Sequence, residues 1–228
     1  MGKVVSIVTA AAALLNGSME AAMPDKNING TLFLVNRQHA VSETFIPGPL
    51  RKTEVFGMSQ SMREDAATAL EELFAAAKEE AGYSLSTVSG YRSYAKQSTI
   101  YARKKASTGS AEKADLLVAR PGTSEHQLGM AMDIARKGSS SLNDKFGDTK
   151  EGKWVYENCY RFGFIVRYLE GFEEITGYSY EPWHIRFVGK EQAESIYRSG
   201  VPMETYLSGL KLEYCDYLIH QVTNEVLP

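Results

Sequence analysis

Two short segments that lie far apart in the chain carry side chains that could bind one metal ion if the fold brought them together. This requirement constrains the fold more than any other feature of the sequence. The first segment, Ser124–Asp133, contains His126 and Asp133, and the second, Glu181–Arg186, contains His184. Imidazole nitrogen and carboxylate oxygen are two of the donor types that bind Zn²⁺. Three such ligands leave a tetrahedral zinc ion one open position for water, as catalytic sites do. The sequence therefore predicts a fold that brings these three side chains around one zinc ion.

The residue types inside the first segment fit such a site. If the segment is extended, its side chains alternate between faces, so that Gly129, Ala131 and Asp133 share one side. Two of these three residues have almost no side chain. Small residues beside a ligand leave room for an ion and a substrate.

The second segment offers an acid in addition to its histidine. Pro182 has no N–H to give to a ladder, so Glu181 is predicted at a turn or strand start and His184 on the strand that follows. Glu181 is not needed as a ligand. A carboxylate beside the activated water can act as its general base, and Glu181 is the candidate for that role.

The presence of a histidine does not by itself indicate a metal site. The chain has 4 histidines, and a single histidine is more often a surface residue or a hydrogen-bonded core residue. His126 and His184 differ from the others because each belongs to a compact motif with an acid. His39 and His220 lack such surroundings, and we expect no catalytic role for them.

Arg92 is a candidate substrate-binding residue upstream of both metal motifs. It follows a predicted strand, and Ser93 after it is the predicted N-cap of a helix. The planar guanidinium presents several donors to a peptide carbonyl or a carboxylate and stays charged. Gln97 lies about one helical turn further and could reach the same pocket. A surface ion pair for Arg92 and a solvated helix face for Gln97 are the plainer alternatives.

These motifs resemble one family. Ser124–Asp133, Glu181–His184 and the upstream Ser89–Ser93 are similar to the signature of zinc D-alanyl-D-alanine carboxypeptidases of the vancomycin-resistance type, within the group that includes lysostaphin-like and hedgehog-like domains. Leu32–Asn36 and Tyr160–Phe164 also resemble family landmarks. The resemblance covers roughly residues 30 to 210, with its motifs in the expected order.

The resemblance implies roles for individual residues. His126, Asp133 and His184 correspond to the zinc ligands and Glu181 to the catalytic base, while Arg92 is similar to the arginine that holds the substrate near the scissile carbonyl. The residues that resemble pocket contacts to the terminal D-residue are Gln97, Ser124 and Trp183.

The resemblance also implies an activity: hydrolysis of the C-terminal D-Ala-D-Ala bond of peptidoglycan stem peptides or their precursors. L,D-carboxypeptidase and peptidoglycan endopeptidase activities of the same fold remain open, because they differ only in the pockets on either side of the cut. A zinc-binding interaction domain without turnover is a further alternative, which Glu181 argues against. A structural polar network without metal is the last.

Length and composition fit one globular catalytic domain over residues 31–228. The chain has 228 residues, 43% of them hydrophobic, and a formal net charge of −3. These values give no reason to expect a nucleic-acid partner or strong membrane binding, and we expect a monomer. The 2 cysteines, Cys159 and Cys215, are predicted to be thiols rather than a disulfide.

Residues 1–30 are predicted to be a leader or a packing segment. Lys3 and the apolar run that follows it have the outline of a secretory signal, but the sites around Ala21 and Ala22 are poor cleavage motifs. The run is too short to span a bilayer. With the expected substrate, this favours the bacterial cell envelope or the extracellular space, with the cytoplasm as the alternative.

Hydrophobic periodicity and turn residues predict an α+β fold, in which a small, mostly antiparallel central sheet carries the zinc site and is flanked by helices. A capping box of Ser61 and Glu64 is expected to open the first long helix, which Gly82 ends. Strands and helices are predicted from the remaining patterns. The helices are expected at 62–81, 94–105, within 107–120, at 154–162, 190–198 and 202–221; the strands at 31–35, 85–89, 164–168 and 175–180.

Overall fold

The structure, a computed structural model, describes residues 27–226. The leader prediction for residues 1–30 therefore lies almost entirely outside the described residues. The chain divides into two compact units, one comprising residues 35–203 and the other the described residues 27–34 and 204–226. Both predicted metal motifs lie in the first unit.

Antiparallel strands form two sheets in the described part of the chain. β1 and β2 pair as a two-stranded sheet, and β3 to β6 form a four-stranded sheet in the order β3-β4-β6-β5. This confirms the α+β class with a small antiparallel sheet. The strands are β1 (Leu50–Lys52), β2 (Ser61–Arg63), β3 (Leu85–Ser89), β4 (Ala131–Arg136), β5 (Phe164–Tyr168) and β6 (Glu181–Phe187).

Eight α-helices lie within residues 27–226. They are α1 (Glu64–Ala81), α2 (Tyr94–Thr108), α3 (Ala111–Asp115), α4 (Lys145–Asp148), α5 (Lys150–Asn158), α6 (Glu173–Thr176), α7 (Lys190–Ser199) and α8 (Met203–Val226). Two 3₁₀ turns, Glu125–Leu128 and Cys159–Phe162, complete the elements. No helix in the described range has the length and apolar character needed to cross a membrane.

Helix α1 buries the apolar positions that its periodicity predicts, among them Leu70, Leu73 and Phe74. Gly82 ends the helix in the left-handed conformation, with φ 72°, as expected. The predicted capping box is wrong, because Ser61 pairs with Lys52 in the small sheet and no side chain caps the helix.

Two strand predictions are wrong. Residues 31–35 form turns and irregular backbone instead of a strand. Residues 173–176 form α6, which ends at Gly177 with φ 78°, and the hydroxyl of Thr176 then bonds the backbone of Tyr178. The β-branched pair Ile175 and Thr176 favoured a strand, but local turn bonding prevailed. β6 pairs with β4 and with β5, the strand before it in the chain.

The four-stranded sheet presents one set of polar side chains on a single face. Asp133 pairs with His184, and Ala131 pairs with Arg186. Because side chains two residues apart share a face, His184 and Arg186 lie on the same side as Asp133. The register Ile165–Arg186 joins β5 to this face, and the pairing of β5 with β6 shifts between Val166 and Tyr168, where Arg167 lies.

Candidate metal centre

Asp133 and His184 meet because their strands pair directly. His184 Nδ1 lies 2.9 Å from Asp133 Oδ1. Both side chains are buried. The prediction that Glu181 starts a strand and that His184 lies on it is confirmed, since both belong to β6. The extended part of the first motif begins at Ala131, so Ala131 and Asp133 share a face as expected.

His126 comes from a turn instead of a strand. It lies in the 3₁₀ turn Glu125–Leu128, which Gly129 closes in the left-handed conformation with φ 68°. Its Nδ1 lies 2.7 Å from the carbonyl oxygen of Gly90. A carbonyl only accepts, so Nδ1 carries the proton and Nε2 keeps its lone pair. Nε2 lies 3.3 Å from Asp133 Oδ2.

The carbonyl that holds His126 belongs to a residue that has to be glycine. A Cβ built on Gly90 would lie 2.6 Å from the carbonyl oxygen of Ser61 and 2.9 Å from the terminal carbon of Met132. Distances this short are not compatible with an alanine unless the backbone moves. The loop that precedes Arg92 therefore fits closely under the histidine.

The three predicted ligands form one cluster. His126, Asp133 and His184 each offer a donor atom, and these atoms lie within 4.8 Å of one another. Tetrahedral zinc with bonds of about 2.0 to 2.2 Å requires its donors to be roughly 3.3 Å apart, which matches the 3.3 Å between His126 Nε2 and Asp133 Oδ2. The donor set of two imidazoles and one carboxylate is typical of catalytic zinc. The residues present therefore fit a zinc ion.

Opposing charges and burial set the protonation of the cluster. Burial, together with the nearby Arg92 cation, lowers the pKa of His126 to about 4. Burial alone would also lower the pKa of His184, but hydrogen bonds with Asp133 and Glu125 outweigh it and raise this pKa to about 9. Burial would raise the pKa of Asp133, but the two histidines outweigh that effect and lower it. Since a metal ligand must be deprotonated, a proton competes with zinc for His184.

A second carboxylate behind His184 was missed by the sequence reasoning. Glu125 is buried, and its Oε2 lies 3.3 Å from His184 Nε2. Its Oε1 accepts hydrogen bonds from Arg167 and Arg186, both at 2.8 Å. A signal was present in the sequence, because Arg167 follows the apolar run Phe164–Val166 and Arg186 lies between Ile185 and Phe187, where a charged residue needs a buried partner.

An open cleft of about 340 Å³ exposes the donor cluster. Its lining includes the three predicted ligands, Arg92 and Glu181. Burial raises the pKa of Glu181 to about 7, with the cations of His184 and Arg92 acting in the opposite direction. Burial lowers the pKa of Arg92, which Asp133 and Glu181 oppose. The side-chain Nε of Arg92 is buried and has no hydrogen-bond partner among the described residues, so this donor is available to a bound molecule.

The predicted pocket residues divide into two groups. Ser124 and Trp183 line the cleft together with Tyr168 and Tyr178. Gln97 is fully buried and lies behind the wall, where its Nε2 donates to the carbonyl of Ala119 at 2.7 Å. Ala119 itself lines the cleft. The structure thus places Gln97 where it supports the cleft wall.

Other predictions concern residues away from the cleft. His39 bonds Asn36 through Nδ1, and His220 is exposed, so neither joins the donor cluster. Cys159 is a buried thiol in the 3₁₀ turn after α5, without a disulfide, as predicted.

The sequence matches a model of the family VanY, D-alanyl-D-alanine carboxypeptidase, over residues 59–190, which is more than half of the chain. Among curated proteins, it is 44% identical over 193 residues to YodJ of Bacillus subtilis (strain 168), an inferred carboxypeptidase. That alignment covers 82% of this chain and 70% of YodJ.

The similar solved structures are also peptidases. The LD-carboxypeptidase LdcB is similar with a TM-score of 0.75 and 43% identity, over 80% of this chain and 88% of LdcB. A mutant of the vancomycin-resistance D,D-pentapeptidase VanY, from a VanB-type cassette and in complex with Zn(II), is similar with a TM-score of 0.67 and 38% identity. This second match covers 78% of this chain and 98% of that structure.

Proposed function

The chain belongs to the VanY family of D-alanyl-D-alanine carboxypeptidases, and from this premise we propose that it removes the C-terminal D-alanine of peptidoglycan stem peptides or their precursors by zinc-dependent hydrolysis. The observation that carries this proposal is the cleft itself. Glu181 and Arg92 line the same open space as the three clustered donors. An acid, a cation and a metal site that face one cavity are the parts that peptide hydrolysis needs.

Zinc is the cofactor that fits this centre, with His126, Asp133 and His184 as its ligands. Two findings support it: the donor cluster, and the Zn(II) complex of the VanY neighbour. When bound, zinc supplies a Lewis acid that makes water acidic enough to react near neutral pH and that polarises a carbonyl.

Glu181 acts as the general base. Its carboxylate accepts a proton from the attacking water and passes it to the leaving amine. A pKa raised to about 7 by burial suits a group that must both take and give a proton near neutral pH. Glu181 lines the same cleft as the three clustered donors but is not one of them, which supports a role as a base rather than as a ligand.

Arg92 stabilises the negative charge that develops on the scissile carbonyl oxygen. The unpartnered Nε donor and the burial of the side chain support this role, since a preorganised donor needs little reorganisation. Such a donor typically contributes about 3 kcal/mol to transition-state stabilisation. Ser124 and Trp183 contact the terminal D-residue from the cleft wall, and Gln97 keeps that wall in place through Ala119.

L,D-carboxypeptidase activity is the second candidate, and a specific observation favours it. The LD-carboxypeptidase LdcB matches this chain with higher identity and a higher TM-score than the D,D-pentapeptidase VanY does. The zinc chemistry is the same for both, and the difference lies in which residue the cleft accepts before the cut. Either substrate would place the enzyme's action at the cell envelope.

Product analysis separates these activities. The zinc-loaded protein is incubated with a stem pentapeptide and with a stem tetrapeptide, and the products are weighed by mass spectrometry. Loss of one alanine from the pentapeptide alone is the expected result. Loss of the terminal residue from the tetrapeptide would favour the L,D activity, and an internal cut would indicate an endopeptidase.

Metal analysis of the purified protein is the matched control. One zinc per chain, with activity lost in the presence of a chelator and restored by added zinc, is expected. Zinc without any turnover on either peptide would indicate the non-catalytic binding domain. Absence of any tightly bound metal would contradict the proposal itself.

A further inference from the structure

We infer that Glu125 is a positioning residue for His184, which it holds in the tautomer that can bind zinc. This rests on the proposed zinc site and concerns a residue outside the ligand set. Glu125 precedes the ligand His126 in the chain but contacts the other histidine, since its Oε2 lies 3.3 Å from His184 Nε2.

The two ring nitrogens of His184 face different partners. Nδ1 faces Asp133, at 2.9 Å from Oδ1, so it is the nitrogen of this ring that lies beside another donor of the cluster, and we take it as the ligand atom. Nε2 faces the carboxylate of Glu125. Both carboxylates only accept, so the metal-free ring carries a proton on each nitrogen; when zinc takes the place of the Nδ1 proton, Glu125 keeps the remaining proton on Nε2. Partners of this kind fix the ring and the tautomer of metal-binding histidines.

Two arginines keep Glu125 ionised and in place. Arg167 Nε and Arg186 Nη1 both donate to Oε1, and all three side chains are fully buried. A buried carboxylate without such partners would be too costly to keep charged. The arginines come from β5 and β6 and both reach Glu125, so the sheet that carries the ligand also carries its support.

The geometry makes a specific prediction for the isosteric variant Glu125→Gln. The guanidinium donors at the Oε1 position require an acceptor, so the amide oxygen of the glutamine has to face them. Its NH₂ group then points at His184 Nε2. A donor at this position requires Nε2 to accept, which leaves the ring proton on Nδ1, the nitrogen that zinc needs.

The experiment compares the zinc affinity of the full chain with that of Glu125→Gln, by competition with a chromophoric chelator. We expect the affinity to fall by about 10- to 100-fold, as for other partners of ligand histidines. The ¹⁵N shifts of the metal-free proteins should show the His184 ring of the parent protonated on both nitrogens and the ring of the variant protonated on Nδ1 alone. The control is Glu80→Gln, which makes the same change in an exposed carboxylate paired with Arg161. Its zinc affinity should equal that of the parent.

Two results would overturn the inference. One is a folded Glu125→Gln protein with the parent's zinc affinity and with the ring proton on Nε2. The other needs no variant: in the zinc-loaded parent, the His184 Nε2 proton should exchange slowly with water, and rapid exchange would contradict its bond to buried Glu125. This second measurement decides the matter if Glu125→Gln does not fold. Failure of the parent to bind zinc would instead refute the proposed function.

Discussion

The two histidines of the metal centre are held in different ways. His126 lies in a tight 3₁₀ turn, and its ring is fixed by the backbone carbonyl of Gly90. His184 lies on a strand, and its ring is fixed between the carboxylates of Asp133 and Glu125. One half of the site therefore depends on how closely the backbone packs, and the other half depends on buried charge.

This difference has consequences for mutation. No side-chain substitution can remove the partner of His126, because that partner is a peptide carbonyl. The partner of His184 can be changed by one atom, as in Glu125→Gln. The first half should therefore respond to changes of backbone space and the second half to changes of charge or of donor and acceptor pattern.

The largest expected effect separates a ligand from an acid within β6. His184→Ala should lose both zinc and activity, because it removes a ligand and leaves the buried Glu125 and Asp133 carboxylates without their shared partner. Glu181→Ala should retain zinc and lose activity by about 10²- to 10⁴-fold, the usual contribution of a general base. Zinc content per folded chain and kcat/KM measure the two outcomes.

Circular dichroism provides the control, since both variants must be folded for the comparison to hold. Equal zinc loss in the two variants would remove the distinction between ligand and base. Retention of zinc by His184→Ala would show that the His184 half is not part of the metal site.

The sequence was sufficient for the parts of the site that lie in compact motifs. Gly129 and Ala131 lie between His126 and Asp133, and Pro182 lies between Glu181 and His184, so residue type and spacing together indicated a zinc site. Local patterns with a recognisable end were also sufficient to predict three elements of the fold. These are the strands Leu85–Ser89 and Phe164–Tyr168 and the helix that ends at Gly82.

The sequence was not sufficient where partners meet only through the sheet. Glu125 was passed over because its partners, Arg167 and Arg186, lie far away in sequence and reach it only when β5 and β6 pair. Helical spacing predicts the direction in which the Gln97 side chain points but not how deeply it is buried. It therefore does not distinguish a residue in the pocket from one behind the cleft wall. Strand propensity at Ile175 was likewise overridden by a local turn, which propensity alone does not weigh.

The backbone-dependent half is tested by Gly90→Ala. Its added Cβ would lie 2.6 Å from the Ser61 carbonyl oxygen, so the loop has to move together with the carbonyl that holds His126. We expect the free energy of unfolding to fall by about 1 to 3 kcal/mol, as for other overpacked sites, and zinc binding to weaken. Urea denaturation and chelator competition measure both effects.

Gly48→Ala is the matched control, because a Cβ there would meet no atom within 4 Å. The stability of this variant should stay within about 0.5 kcal/mol of the parent. If Gly90→Ala were as stable as Gly48→Ala and bound zinc equally well, close backbone packing would not be what positions His126.

The smallest expected effect tests whether the charge of Glu181, on the same strand as His184, destabilises the metal-free fold. The folded pKa of Glu181 is about 7, against an ordinary value of 4.5, because burial disfavours its charged form. Between these values the folded state of the metal-free protein binds a proton that the unfolded state lacks, so stability falls as the pH rises through this window.

Glu181→Gln removes this penalty. The metal-free variant should therefore be more stable than the metal-free parent at pH 8, by on the order of 1 kcal/mol because the side chain is partly exposed, and should show no such gain at pH 4. Thermal unfolding at both pH values in the presence of a chelator measures the difference. An equal gain at pH 4 and pH 8 would mean that the amide packs better rather than that a charge has been removed, and the cost would then not be electrostatic.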